Sequence, residues 1–474
     1  MEVAKTVSKS ISEGLATILP IETNEVFYNP VQVFNRDLSV LIVSVFGRSA
    51  NNKEQLNVLE GLAASGLRSI RYAKELRFGD YKIFANDIES VAVERIRRNM
   101  EHNTVSTIEV INSDVINHMH CEKNKYSVID LDPYGSCSPF LDAAVYSVKP
   151  NGLLCITSTD GGVLCGNQPD LSYIRYGGFS VKKNFSHEMG LRVMLHAVAS
   201  AAARHKRGIK VLAAFSIDFY FRVFVQVIDS GKEALGSMES TGMLFQCINC
   251  EFHINQPICR VDGHNRKPAR LLATSTTCPE CDSSLALGGL MYTGPLCEEE
   301  FVNSCLDVIE DEKTEFPGVS SWVKLKGLLY GIKSELPSVP LFYTIPGLTR
   351  SFKVSPPKLR VFYHWLKQLG FQVSGSHRTP NAIKTDAPAS VVFDLVRIYV
   401  QQLSPAHTVA KAISLQIPEG IEIDFNIKLE ENAKSSEKIP IYIPNPAAFW
   451  GPKPRAQQSS GTTNDFKRQK VSDI

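Results

Sequence analysis

The residues best suited to chemistry lie in Ser127-Val-Ile-Asp-Leu-Asp-Pro-Tyr-Gly-Ser136. Two apolar residues, Val128 and Ile129, lead to Asp130, and Asp132, Pro133, Tyr134 and Gly135 follow. Such a stretch has two readings. It can be a buried strand running into a Pro-Gly turn. It can also be a tip where Asp132 accepts a hydrogen bond from an exocyclic amine and the Tyr134 ring stacks on a base, as amine methylation requires. A cofactor site upstream decides between them.

Leu56 to Leu59 predicts a short buried strand ending at Glu60. Gly61-Leu-Ala-Ala-Ser-Gly-Leu-Arg68 follows, then a helix through Leu76. Small residues such as Gly61 and Gly66 let backbone amides approach a ligand, and a helix N-terminus favours negative charge. The stretch lacks the G-x-G-x-x-G spacing, and a plain tight turn fits it equally well. A second strand, Tyr81 to Ala85, ends at Asn86-Asp87, and a helix runs from about Ile88 to Asn103. An acid at that place is positioned for ribose hydroxyls. Ile108 to Ile111 is a third strand, with Asp114 beyond it, and Ser127 to Ile129 is the fourth. Each acid alone fits a helix cap or a turn. Four successive strand ends carrying Glu60, Asp87, Asp114 and Asp132 fit an open parallel sheet with its ligand beyond the carboxyl ends. A fifth strand, Leu153 to Thr157, a helix from His187 to Arg204, and strands Val211 to Phe215 and Phe221 to Ile228 complete the sheet. Upstream, a loop precedes a helix that starts near Asp37 and carries the apolar run Leu38 to Phe46.

Bulk properties fit this reading. At 474 residues the chain has room for two or three domains, and 43% hydrophobic and 21% charged residues are ordinary for a globular protein. With a formal net charge of +2, nucleic-acid binding would depend on local patches. No apolar run has transmembrane length. The first twenty residues make a poor secretory or mitochondrial signal.

Four of the 11 cysteines form two Cys-x-x-Cys pairs, Cys247/Cys250 and Cys278/Cys281, flanking 27 residues. Without an export signal, metal ligation is favoured over disulfides, and two thiolate pairs suit tetrahedral zinc. Unliganded cysteines are the alternative, and His253 or Cys259 inside the insert could replace one ligand. Cys137 and Cys155 read as small core residues. Arg260, Arg266, Lys267 and Arg270 form either a phosphate patch or a solvated loop.

The strand-end acids resemble a class I S-adenosylmethionine methyltransferase. That implies a methionine-end role for Glu60, a ribose role for Asp87, and an adenine site at Asp114 and the backbone of Val115. An ordered set of motifs is more specific: Phe27-Tyr-Asn-Pro30, Asn35-Arg-Asp37, Gly66-Leu-Arg68, Ile129-Asp-Leu-Asp-Pro-Tyr-Gly-Ser136, His187-Glu188 and Ser376 to Pro388. Together these resemble the tRNA (guanine-26) N2-dimethyltransferase family over about residues 20–450. Tyr134 stands where some members have Phe, and both present an aromatic face.

The resemblance implies an α/β chain, a class I S-adenosylmethionine-dependent methyltransferase with a Rossmann-like sheet, a zinc-binding insert and a smaller α+β C-terminal domain. Its expected parts are an N-terminal extension (1–23), the methyltransferase domain (24–240), the zinc module (241–295), a tRNA-binding domain (296–450) and a disordered basic tail (451–474). It implies a catalytic set of Asp132, Pro133 and Tyr134. It implies a cofactor set of Arg36, Glu60, Gly61, Gly66, Arg68, Asp87, Ile88, Asp114 and Val115. Phe27 and Tyr134 would sandwich the base. The expected cofactors are S-adenosyl-L-methionine and structural zinc, and the expected partner is tRNA, with no membrane and a monomeric state. His377, Arg378 and Lys384 suit RNA backbone contact. Lys467-Arg-Gln-Lys470 leans towards the nucleus, with mitochondrion and cytoplasm as alternatives. Two other readings stay open: an enzyme acting on another amine, and a catalytically silent RNA-binding protein.

Overall fold

The computed structural model describes residues 10–20, 28–49, 55–263, 265–272, 275–405, 411–429 and 440–442. Phe27, the basic tail and Lys467–Lys470 lie outside them.

Seven strands form the main sheet: β1 (Leu56–Glu60), β2 (Tyr81–Asp87), β3 (Ile108–Asn112), β4 (Tyr126–Leu131), β5 (Val148–Ser158), β6 (Gly208–Ile217) and β7 (Tyr220–Ile228). Their order is β3-β2-β1-β4-β5-β7-β6, and only β7 runs antiparallel to its neighbours. The first five strands match the expected positions and extend them by a few residues. β1 and β4 are almost entirely buried because helices cover both faces of a parallel sheet. The strand order reverses between β1 and β4, which opens a crevice at their carboxyl ends. Helices α1 (Val33–Ser49), α2 (Leu67–Glu75), α3 (Ser90–His102), α4 (Val115–Cys121), α5 (Leu141–Ser147), α6 (Pro169–Tyr176) and α7 (Ser186–Arg204) flank the sheet.

α1 begins a turn earlier than its composition suggests. The side chain of Asn29 accepts from Val31 N, Pro30 opens a short 3-10 turn, and α1 continues from it. Asp37 is therefore not at the helix start but a buried interior residue. It accepts from the backbone and hydroxyl groups of Ser320 and Ser321 and pairs with Arg71 at 2.7 Å. The supposed N-terminal extension is also part of the main fold. Residues Ile11–Glu13 and Ala16–Ile18 form a hairpin whose Ala16 and Ile18 join the main core. Glu13 pairs there with Arg36 and Arg71.

The zinc module is a three-stranded antiparallel sheet of β8 (Thr241–Cys247), β9 (His253–Pro257) and β10 (Leu285–Tyr292), with β8 central. The helices α8 (Glu299–Asp311) and α9 (Trp322–Lys333) follow. Strands β11 (Tyr343–Thr344), β12 (Val373–Ser374) and β13 (Ala382–Thr385) form a small sheet centred on β13, beside α10 (Leu359–Gln368) and α11 (Ala389–Leu403).

The hydrophobic cores divide at a different place from the limits read in the sequence. α8 and α9 belong to the methyltransferase core through Val302, Leu306, Leu325 and Leu329. The second core joins Cys247, Cys250 and Cys278 to Phe362, Trp365 and Val396. The cysteine end of the zinc module thus packs with the small C-terminal domain, whereas Leu244, Met291 and Tyr292 of its sheet join the methyltransferase core.

The two parts are clamped by buried charge. Lys384, 1% exposed, lies 2.8 Å from Glu188 on α7 and 2.7 Å from Glu335. His377 Nδ1 meets Glu335 at 2.7 Å, and Ser216 N donates to its Nε2 at 3.1 Å. Arg378 donates to the Asp218 carbonyl. The expectation that His377 and Lys384 contact RNA is therefore corrected: in this fold both are buried interdomain ties, while Arg378 is only half-buried. Burial raises the Glu335 carboxyl, but Lys384 and His377 outweigh it and hold it well below the usual range. Lys384→Ala leaves two buried carboxylates short of a cation, so we expect a loss of about 3–5 kcal/mol. Denaturant midpoints check this, and a loss under about 1 kcal/mol would show the clamp to be dispensable.

Candidate active site

A cavity of about 340 Å³ lies at the reversal between β1 and β4. Its wall brings together Arg36, Glu60, Arg68, Asp87, Ile88, Asp132, Pro133 and Tyr134, all of them expected from the sequence. Tyr28, Gln32, Phe140, Thr159 and Phe219 also line it, and sequence reasoning missed these five as wall residues. Gln32 had a visible signal, since it stands one helical turn before the Asn35-Arg-Asp37 motif.

Four expected residues are placed differently. A Cβ on Gly61 would meet Leu131 Cδ2 at 2.7 Å and Val115 Cγ2 at 2.9 Å, so this glycine is needed for close packing at the end of β1. Gly66 sits at the N-terminus of α2 with φ of +75°, a conformation that favours glycine. Asp114 caps α4, its Oδ1 accepting from Ile116 N and Asn117 N. Val115 is buried behind it. None of the four lines this cavity, and they adjoin it through the loops after β1 and β3.

The electrostatics centre on β4. Asp130 is fully buried, with Arg222 bonded to both its oxygens at 2.9 and 2.7 Å and Tyr72 donating at 2.5 Å. Burial would raise its carboxyl, yet Arg222 and Arg68 hold it below the usual range. Asp132 lies one residue past the end of β4 and lines the cavity, with its side chain 23% exposed. Its Oδ2 accepts from Arg68 and, at 3.3 Å, from Asn35 Nδ2. Oδ1 has no partner among the described residues. Glu60 accepts from Ser69 N at 2.9 Å and lies 3.6 Å from Arg68 Nε. Burial pushes its carboxyl up to about 8, because Arg68 and Ser69 offset only part of the lost hydration and Asp130 adds to it.

The remaining wall residues have defined partners. Asp87 accepts from Ala64 N at 2.8 Å and Glu89 N at 3.0 Å. Arg36 is held by Glu13 at 2.6 and 2.5 Å, and its guanidinium lies 5.6 Å from the Tyr28 ring centre. The Tyr134 ring is half exposed. The loop behind it is pinned: Gly135 N donates to Thr159 Oγ1 at 2.8 Å, and Thr159 N donates back to Gly135 O at 2.9 Å. The result is a concave site with a partly exposed carboxylate, an aromatic face and two further acids, all on rigid strand ends.

The metal candidate lies elsewhere, in the zinc module. The sulfurs of Cys247, Cys250, Cys278 and Cys281 lie within 4.8 Å of one another. Cys247 and Cys281 are 3.5 Å apart, and Cys250 and Cys278 are 3.6 Å apart. Tetrahedral zinc with Zn–S bonds near 2.3 Å implies sulfur separations of roughly 3.8 Å, so the set fits the ion. Backbone amides of Cys250, Phe252 and Glu280 point at three of the sulfurs at 3.3–3.4 Å, as thiolate charge requires. His253 is not a ligand: it bonds the Glu251 carbonyl at 3.0 Å and packs on Tyr343. Cys259 lies on a separate hairpin and is not among the four. Because three of these cysteines pack into the second core, we expect Cys247→Ser to lower both bound zinc and melting temperature. Metal analysis with thermal unfolding checks this, and purified protein free of zinc would exclude the metal.

Comparison with known proteins places the chain. Residues 7–397 match the family described as TRM, N2,N2-dimethylguanosine tRNA methyltransferase. A tRNA (guanine(26)-N(2))-dimethyltransferase of Schizosaccharomyces pombe is 36% identical, over 94% of this chain and 92% of its own length. The human tRNA (guanine(26)-N(2))-dimethyltransferase is 32% identical, over 97% and 80%. A mitochondrial one from Saccharomyces cerevisiae is also 32% identical, over 95% and 92%. Among solved structures, Trm1 from Pyrococcus horikoshii in complex with S-adenosyl-L-methionine superposes with a TM-score of 0.69 at 28% identity. That match covers 81% of this chain and 98% of the other. With its sheet order, its cavity and its relatives in agreement, this chain belongs to the N2,N2-dimethylguanosine tRNA methyltransferase family.

Proposed function

We propose that the protein transfers methyl groups from S-adenosyl-L-methionine to the exocyclic N2 of guanine 26 in tRNA, giving N2-methyl- and N2,N2-dimethylguanosine. The observation that carries this reading is the meeting of Glu60, Asp87, Asp132 and Tyr134 on one cavity at the sheet reversal. The cofactor, when bound, supplies an activated methyl group on a sulfonium. In this reading Asp87 serves the ribose, the loop of Asp114 and Val115 the adenine, and Glu60 with Arg36 and Arg68 the charged methionine end.

The guanine amine is a weak nucleophile because its lone pair is delocalised into the ring. Asp132 Oδ1 accepts a hydrogen bond from it and aims it, while Arg68 and Asn35 hold Oδ2. As positive charge grows on N2, the carboxylate stabilises it without reorganising. Holding amine and methyl in contact removes most of the entropic barrier. A paired guanine has to leave its stack to reach this cavity. Tyr134 offers one face for it, and Phe27 is proposed for the other. Pro133 keeps the wall between them apolar and free of an N–H donor.

RNA contact is proposed for the zinc module and the C-terminal domain. On the hairpin Cys259–Asp262 with Asn265–Pro268, Arg266 is paired with Glu239 and Lys267 with Asp262. Arg260 and the nearby Arg270 carry exposed charge there. No helix among the described residues is long and apolar enough to cross a membrane. A monomer in the nucleus is the reading we propose, with the basic segment Lys467–Lys470 as its support and the mitochondrion and cytoplasm as alternatives.

We expect Asp132→Ala to lower methyl transfer at least about 10²–10³-fold while cofactor affinity stays nearly constant. Nucleoside analysis of tRNA from cells lacking the protein should show loss of N2,N2-dimethylguanosine. Unchanged turnover in the variant removes Asp132 from the mechanism, and unchanged tRNA removes the function. Glu60 sets a pH dependence. Its carboxyl is mostly protonated at pH 7 and ionises near 8, and only the ionised form attracts a cationic ligand. Cofactor affinity should therefore rise as pH increases towards 8, by up to about tenfold per unit, and then level off. Glu60→Gln should flatten this rise in calorimetric titrations, and identical profiles for both proteins would exclude Glu60 from the cation site.

A further inference from the structure

Two amides stand between α1 and the carboxylate of Asp132. Asn35 is fully buried, and its amino nitrogen donates to Gln32 Oε1 at 2.9 Å and to Asp132 Oδ2 at 3.3 Å. A carboxylate only accepts, so it fixes which end of the Asn35 amide faces it. Both Asn35 amino hydrogens are then used, and its carbonyl Oδ1 stays buried without a partner. Reversing the amide would set that carbonyl against a carboxylate. The Asn35 amino group in turn fixes Gln32, which has to present its own carbonyl. The Gln32 amino group, Nε2, is left with no partner among the described residues, in the wall of the cavity. One negative charge thus orients two amides in series and ends in an unsatisfied donor beside the site.

We propose that Gln32 Nε2 donates to O6 of the target guanine, making Gln32 a specificity-determining residue. The inference rests on the function proposed above. Two acceptors sharing one amino group lie roughly 5 Å apart, which sets Gln32 Oε1 and Asp132 Oδ2 at about that separation and leaves Gln32 Nε2 and Asp132 Oδ1 as their free neighbours on the cavity side. The guanine edge from N2 to O6 has a similar length. With Asp132 on the N2 amine, the Gln32 donor falls on the O6 acceptor. Adenine carries an amino group at the corresponding carbon and would set donor against donor.

The test uses tRNA with 2-aminopurine at the target position. This base keeps the exocyclic amine but lacks O6. It also lacks the N1 hydrogen, a loss felt equally by every enzyme variant. Wild type, Gln32→Met and Gln32→Glu are compared on both substrates. In both variants the kcat/KM for guanine should fall about 10- to 100-fold, with less than about threefold change for 2-aminopurine, so the wild-type preference for guanine collapses. Cofactor dissociation constants and melting temperatures near wild type confirm that the variants fold, and Gln32→Glu keeps the side chain's size. Equal losses on the two substrates would overturn the inference. So would a preference left intact while cofactor binding weakens, which would assign the amide to the cofactor. Failure of the wild type to methylate guanine overturns the proposed function and this inference with it, whereas methylation with an unchanged preference in both variants overturns this inference alone.

Discussion

Asp130 lies at 1% exposure in the middle of the main sheet, and most of the site is arranged around its charge. A carboxylate in a central strand is costly to bury unless it is paired and fully hydrogen-bonded. Arg222 comes from the antiparallel strand β7, Tyr72 from α2 and Arg68 from the start of the same helix. These partners come from elements that the chain order separates widely. Arg222 also bonds Ser39 on α1 and Thr157 on β5. One buried charge thus ties α1, α2, β4, β5 and β7 into a rigid floor under the cavity.

The same floor sets the charge state of the wall. Arg68 reaches Asp130, Asp132 and Glu60 at once, and Arg222 is committed to Asp130. Three carboxyl groups therefore share two guanidinium groups. The deficit falls on Glu60, which is the most desolvated of the three without a bidentate arginine, and its carboxyl titrates late. A cationic ligand is the natural replacement for that proton. Asp132 keeps one oxygen fixed by Arg68 and Asn35, a preorganised acceptor at the place where the amine is to be aimed.

The interdomain clamp follows a similar pattern. Glu188, Glu335, Arg192, Lys384 and His377 form a buried cluster joining α7, the α9 region and β13. Buried networks of this kind add little stability over apolar packing, but they fix how two bodies meet. The cysteine end of the zinc module packs into the core of the C-terminal domain, so a metal there would brace that core.

The sequence by itself determined the sheet strands, the acids at their ends, the Asp132-Pro133-Tyr134 tip and the two Cys-x-x-Cys pairs. Each depends on a local pattern: an apolar run, a turn residue, or a fixed ligand spacing. The split between Asp130 and Asp132 was legible too, because Asp130 lies within the strand and Asp132 heads the Pro-Tyr-Gly turn that follows it. Tertiary structure alone decided which charged residues are free. Asp37 reads as the start of a helix and is a buried acceptor inside it; Lys384 and His377 resembled RNA contacts and are buried ties. Their partners lie far away in the chain, and no local pattern encodes a contact between residues 188 and 384 or 37 and 320. The place of α8 and α9 in the methyltransferase core was hidden for the same reason, since an apolar helix face does not name the core it joins. The orientation of Gln32 is the finest such case, because an amide has no preferred end until a distant carboxylate chooses one.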